Sequence, residues 1–113
     1  MLKKKYRRKT KLFGTVNKPR LVVFRSLKHI YGQIIDDTAK KTILGASDLS
    51  VDLKQDMKKA KTKVERSKLL GELIARKAKD KKINQIIFDR NGYKYHGRIK
   101  ALAEGLRQGG LDF

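Results

Sequence analysis

The chain has 113 residues, and its 30 Lys and Arg outweigh 11 Asp and Glu to give a formal net charge of +19. This length supports a single domain, because two separate cores would each be too small to offset the entropy of folding. The absence of cysteine excludes disulfides and thiolate metal sites, and no apolar run approaches the roughly 18 residues of a membrane span, so we expect a soluble protein.

The positive charge is concentrated toward the amino-terminal end. Residues 1–35 contain eleven Lys or Arg and no acidic residue. Such a surplus repels itself, and phosphates would relieve it by releasing condensed counterions, so we expect a nucleic-acid partner. Residues 1–19 have few apolar positions to bury, which predicts a basic arm that is mobile when free and orders on its partner. Tyr6 and Phe13 within it suit stacking on unpaired bases, whereas a tail that only improves solubility is the alternative.

Three strands are predicted after this arm. Pro19 favours extended backbone at Lys18 and marks the start of a folded domain over residues 20–113. β-branched and aromatic residues predict strands over 21–26, 29–36 and 42–47. The connections between them are short, so the three strands should form an antiparallel meander.

A helix is predicted next, after a polar and irregular segment. Thr62 and Glu65 have the spacing of a capping box, so the helix should begin there and run to about Lys79. Its predicted buried face comprises Val64, Leu70, Leu73, Ile74 and Ala78.

A fourth strand and a second helix complete the predicted chain. The apolar run in QIIFD, residues 85–89, favours a strand covered on both sides. The last helix should end at Gly109, with Leu111 and Phe113 folding back onto it. Its predicted buried stripe comprises Ile99, Leu102, Ala103 and Leu106. The order is βββαβα, an α/β fold with a mixed β-sheet and helices packed on it, in which the strand–helix–strand succession implies a right-handed crossover and parallel pairing.

The loop DRNGYKYHGR, residues 89–98, leaves the last strand where open α/β sheets usually place their ligand sites. Asn91 and Gly92 predict a turn, and Gly97 permits close backbone approach at the start of the last helix, where free N–H groups attract anions. The loop also carries side chains suited to holding phosphates: Arg90, Lys94, Arg98, Tyr93 and Tyr95. The alternative for Tyr95 and His96 is that they simply pack beneath the sheet.

Catalysis has less support from the residue types present. No serine or cysteine lies near His96 in sequence to serve as a nucleophile. Asp36, Asp37 and Asp89 are the plausible carboxylates for a two-metal nuclease, since a meander followed by helix and strand is also how RNase-H-like nucleases begin. Acids in turns and at strand ends, however, commonly accept hydrogen bonds from nearby backbone, which favours a non-catalytic protein.

Two long blocks of the sequence resemble one family. KPRLVVFRSLKHIYGQIIDD and FDRNGYKYHGRIKALAEGLRQGGLDF are similar to bacterial large-subunit ribosomal protein eighteen, the 5S rRNA-binding family, as is KLLGELIARKAKDKKI between them. The likeness runs from about Arg7 to Phe113. It departs at Leu27, Lys18 and Asn91, where the family often has asparagine, arginine and glycine.

The resemblance implies a structural RNA-binding protein with no catalytic activity and no obligatory cofactor. It would bind 5S rRNA and help attach it to 23S rRNA, beside neighbouring ribosomal proteins of the central protuberance in cytoplasmic ribosomes. We expect the chain to be monomeric when free and to have no membrane partner. The expected RNA-binding residues are Arg7, Arg8, Lys9, Lys11, Lys18, Arg20, Arg25, Ser26, Lys28, His29, Tyr31, Arg90, Tyr93, Lys94, Tyr95, His96 and Arg98.

Two questions stay open at the level of sequence. Composition alone also fits a basic protein that coats DNA or any RNA without preference. His29 and His96 could each be a core residue, a hydrogen-bond donor to RNA, or both.

Overall fold

The first three strands form the predicted antiparallel meander in the computed structural model, which describes residues 12–50, 58 and 60–113. They are β1 (Arg20–Arg25), β2 (Ile30–Asp36) and β3 (Lys41–Ser47), each starting within one residue of its predicted start. Tyr31 of β2 pairs with Phe24 of β1 on one side and with Ser47 of β3 on the other. Because side chains alternate between faces, Leu21 and Val23 are fully buried on one face of β1, while Phe24 lies on the opposite face and is exposed.

The fourth strand, β4 (Ile87–Asp89), lies parallel to β1 and completes a sheet with the order β3-β2-β1-β4. The predicted parallel pairing is therefore confirmed. The prediction that this segment is covered on both faces is wrong, because the apolar side chains within β4 are not fully buried. Ile86 is fully buried but precedes the strand, and Ile87 and Phe88 are only half-buried.

The longer of the two helices whose bounds the structure describes, α1 (Lys63–Asp80), begins at the predicted cap. The Thr62 hydroxyl accepts a hydrogen bond from the Glu65 N–H at 3.1 Å, and the Glu65 carboxylate accepts one from the Lys61 N–H at 2.8 Å. These bonds satisfy N–H groups that have no partner within the helix. The predicted face is buried except at Val64, which is 47% exposed because it lies in the first turn, at the end of the packed stripe.

The second helix, α2 (Arg98–Gln108), packs on α1, which in turn packs on β2 and β3. Its predicted stripe is buried, and Leu111 folds back as predicted, donating its N–H to the Leu106 carbonyl at 3.1 Å. Phe113 also folds back onto α2, where the Arg107 guanidinium lies over its ring at 4.3 Å from the centroid, and the same ring stacks on Phe88 with centroids 5.4 Å apart. All this packing uses one face of the sheet, so Phe24 on the other face keeps 37% of its surface exposed.

The chain contacts the folded part before β1 begins. Gly14 is buried, donates its N–H to the Asp37 carboxylate at 2.7 Å, and accepts the Asp37 N–H at 3.0 Å. Pro19 is buried and accepts the Ile87 N–H through its carbonyl at 2.9 Å. The division at residue 19 into arm and domain stays a prediction, but these contacts attach residues 14–19 to the sheet. Among the helices in the described residues, none has the length and apolar character needed to cross a membrane.

Candidate RNA interface

The turn between β1 and β2 is formed by residues 26–29, and this turn and its flanks carry four of the predicted site residues. The Ser26 N–H donates to the His29 carbonyl at 2.8 Å, and the Ser26 hydroxyl accepts the His29 N–H at 3.2 Å. Ser26 therefore shapes the turn, whatever it contacts in RNA. Arg25 and Lys28 are exposed beside it, where their charged groups can meet a phosphate.

His29 is neither a core residue nor a free surface residue. Its side chain is 44% exposed, and its Nδ1 lies 3.2 Å from Oδ1 of Asp48, a carboxylate that is only 4% exposed. An ionised carboxylate can only accept, so Nδ1 carries the proton in this bond. The bond fixes the ring and directs the remaining nitrogen, Nε2, to any ligand that His29 contacts.

The loop after β4 has the predicted turn and is attached to β1. Asn91 and Gly92 have φ angles of 57° and 81°, the left-handed region that asparagine and glycine tolerate best. The Asn91 N–H donates to the Asp89 carboxylate at 2.8 Å, and its side-chain amide donates to the Val23 carbonyl at 3.1 Å. These bonds hold the start of the loop against the middle of the sheet.

Tyr93 joins this loop to the hairpin. Its hydroxyl lies 3.3 Å from the Arg25 N–H, which donates to it, and 3.5 Å from the Arg25 carbonyl. The Arg25 guanidinium lies over the Tyr93 ring at 4.7 Å from the centroid, a cation–π geometry. These two residues are 68 positions apart in the chain. The two blocks that the sequence singled out therefore form one continuous surface.

The remaining loop residues lie around the start of α2. Arg90, Lys94 and His96 are exposed, and Tyr95 is 39% exposed with its ring edge-on to Phe88 at 6.5 Å. The alternative that Tyr95 and His96 are core residues is therefore wrong. A cleft of about 240 Å³ is lined by Arg25, Lys94, His96, Gly97, Arg98 and Ile99. Three cations thus converge near the free N–H groups of the helix.

Arg20 does not belong to this surface. Its Nε and Nη2 donate to the Asp37 carboxylate at 2.9 and 3.1 Å, and its Nη1 donates to Asp89 at 2.8 Å. The hydrogen bond to Asp37 raises the pKa of Arg20, and the bond to Asp89 adds to this against the lowering caused by partial burial. The side chain is 19% exposed and its charge is matched by two acids. These bonds give Arg20 a structural role, and its contact with RNA stays a prediction.

The same contacts bear on the nuclease alternative. Asp37 and Asp89 are indeed brought together, but the Arg20 guanidinium lies between them. Asp36 accepts the Thr38 N–H at 3.0 Å and the Ala39 N–H at 3.4 Å, the turn role expected of such an acid. Each carboxylate thus has a structural partner, which favours a binding protein over a metal-dependent nuclease.

Four of the predicted site residues, Arg7, Arg8, Lys9 and Lys11, lie outside the described residues. Lys18 is exposed, in a turn where the Thr15 N–H donates to its carbonyl at 3.1 Å. Sequence reasoning missed two exposed residues of the surface, Leu49 and the aromatic Phe24. The pairing of Phe24 with Tyr31 was available from the hairpin register, whereas Leu49 follows β3 with no signal in its neighbours.

Comparison with known proteins gives a consistent result over the whole chain. The family model described as ribosomal L18 of archaea, bacteria, mitochondria and chloroplasts matches residues 1–113. A protein of Staphylococcus haemolyticus named large ribosomal subunit protein uL18 is 54% identical over 112 residues, which cover 99% of this chain and 91% of that protein. A protein of the same name in Sorangium cellulosum is 52% identical over 111 residues, which cover 98% of this chain and 92% of that protein. A protein of the same name in Desulfatibacillum aliphaticivorans is 51% identical over 111 residues, which cover 98% of this chain and 90% of that protein.

Proposed function

Because the chain belongs to the ribosomal L18 family and is a ribosomal protein of the large subunit, we propose that it binds 5S rRNA and helps attach it to 23S rRNA in the central protuberance. Its role there is structural and not catalytic. Its further partners are the neighbouring ribosomal proteins of that region.

One observation carries the proposal: Tyr93 fastens the loop 89–98 to the hairpin through Arg25. This contact supports a single interface in which exposed cations of both segments lie beside exposed aromatic rings. Phosphate contacts from Lys and Arg position a protein on RNA, while rings accept unpaired bases. A surface with both features suits a folded RNA that presents duplex backbone next to unpaired loops.

Recognition on this surface depends mainly on the shape of the RNA. The major groove of an A-form helix is too narrow for side chains, so contacts fall on phosphates, 2′-hydroxyls and splayed bases. The exposed or half-buried residues assigned to these contacts are Lys18, Arg25, Lys28, His29, Tyr31, Arg90, Tyr93, Lys94, Tyr95, His96 and Arg98. Arg20 and Ser26 support the surface by holding its backbone in place.

The net charge of +19 also supports a second candidate, a protein that coats any nucleic acid. Competition separates the two. The chain, bound to labelled 5S rRNA, is challenged with excess tRNA or duplex DNA and the retained complex is measured on a gel. A specific 5S rRNA protein keeps its target under this excess, whereas a coating protein transfers to the competitor. Loss of the complex to both competitors would overturn the proposal.

Removal of residues 1–11 is expected to weaken binding to 5S rRNA while leaving the folded domain intact. This segment contains seven Lys or Arg, and the described bonds of residues 14–19 to the sheet remain. Each phosphate that the shortened chain no longer neutralises should reduce the slope of log affinity against log salt by about 0.7 to 0.9. The slope is measured between low and moderate KCl for both forms, and thermal melting is the control. An unchanged slope, or loss of the cooperative melt, would contradict this prediction.

A further inference from the structure

A second cleft, of about 370 Å³, lies at the end of the sheet where the β1–β2 hairpin turns. Its lining is mostly apolar and includes Phe24, Tyr31, Leu49 and Tyr93, with Arg25 and His29 also in the wall. We propose that this cleft binds one unpaired RNA base, a role that rests on the proposed function and specifies a ligand for part of that surface.

The aromatic rings of the cleft are arranged in advance of binding. Phe24 of β1 and Tyr31 of β2 are cross-strand neighbours. Their rings stack, with centroids 5.2 Å apart and planes 24° from parallel. Both side chains are 37% exposed, and Leu49 is 68% exposed. Exposed rings fixed on adjacent strands can receive a flat base with little loss of side-chain entropy.

The charge around the cleft favours a polyanion over an apolar side chain of another protein. Arg25 and Lys28 are exposed at the hairpin end, where they can meet the phosphates on either side of an inserted base. None of the described residues that line the cleft is acidic. The acid nearest in sequence, Asp48, is buried and hydrogen-bonded to His29.

His29 adds a polar contact to the wall of the cleft. Its Nδ1 lies 3.2 Å from the Asp48 carboxylate, so Nε2 is the ring nitrogen left for a hydrogen bond with a base. The ligand is therefore an unpaired base, stacked on the rings and flanked by bound phosphates.

The test compares Tyr31→Leu with the unaltered chain on a bacterial 5S rRNA transcript. Leucine retains the apolar bulk but removes the ring, so the affinity should fall about 5- to 150-fold, the loss typical of one stacked base. Dimethyl sulfate probing should show at least one unpaired base that the unaltered chain protects and Tyr31→Leu exposes. Tyr31→Phe keeps the ring and should bind more tightly than Tyr31→Leu.

Leu27→Ala is the matched control, because Leu27 is 80% exposed in the adjoining turn and does not line the cleft. It should leave affinity and the probing pattern as they are. If Tyr31→Leu gives the same pattern and affinity as Leu27→Ala, the inference is wrong while the proposed function stands. If the unaltered chain does not bind 5S rRNA, the proposed function itself fails.

A measurement on the unaltered protein avoids dependence on the folding of a variant. Ultraviolet cross-linking of the complex, followed by trypsin and mass spectrometry, should place a nucleotide on the peptide of residues 21–25 or 29–40, which contain Phe24 and Tyr31. Cross-links confined to peptides that contain no residue of the cleft lining would overturn the inference.

Discussion

Arg20→Met is expected to lower the free energy of unfolding by about 2 to 4 kcal/mol, because it leaves two partly buried carboxylates without their shared cation. Asp37 and Asp89 both accept from this guanidinium, at distances from 2.8 to 3.1 Å, and their side chains are 17% and 5% exposed. The effect should appear as a lower urea midpoint with an unchanged slope.

Two variants make this result interpretable. Arg20→Lys keeps the charge, but its ammonium group lacks the planar set of donors that lets the guanidinium bind both acids. The free energy of unfolding of Arg20→Lys should therefore lie between those of the unaltered chain and Arg20→Met. Lys28→Met removes an exposed cation and should change stability by less than about 0.5 kcal/mol. Equal stabilities for Arg20→Met and Lys28→Met would show that the ion pairs do not support the fold.

The pH range of this contribution follows from the shift of Arg20. Its pKa is raised in the folded state, chiefly by the hydrogen bond to Asp37. A raised pKa means that the stabilisation is fully present below the ordinary arginine value and is lost only as pH rises through the higher folded value. The guanidinium therefore stays charged at neutral pH. The difference in free energy of unfolding between Arg20→Met and the unaltered chain should be fully present there.

Gly105→Ala is expected to destabilise the protein by about 1 to 3 kcal/mol, although alanine is the better helix former. A Cβ at residue 105 of α2 would lie 2.2 Å from the backbone carbonyl oxygen of Lys68 in α1, a distance that forces the two helices apart. Gly71 in α1 faces the same contact, since its Cβ would lie 2.3 Å from the Leu102 carbonyl oxygen. Thermal or urea unfolding measures the loss.

Gly45→Ala provides the same substitution at a place with room for it. A Cβ at Gly45 on exposed β3 would meet its nearest atoms at 3.5 and 3.6 Å, ordinary van der Waals distances. Its effect should stay within about 0.5 kcal/mol. If Gly105→Ala were as stable as Gly45→Ala, the helices could move apart at little cost and the close approach would not be required.

The order of elements could be predicted from local chemistry. Strand positions followed from β-branched runs, and the start of α1 from the Thr62 and Glu65 capping box, because both signals act within a few residues. The turn at Asn91 and Gly92 was likewise predictable, since few residue pairs accept positive φ so readily. The candidate site was predicted as two basic blocks, not as one surface.

The sequence by itself determined the charge, the succession of strands and helices, and which loops carry cations and rings. Only the tertiary structure decided which cations remain available, because an arginine in β1 meets acids that lie 17 and 69 residues away, as Arg20 does with Asp37 and Asp89. It also decided that α1 and α2 touch through glycines, and that Leu49 joins Phe24 and Tyr31 around one cleft. These features depend on distances between residues remote in the chain, which local propensity and periodicity do not encode.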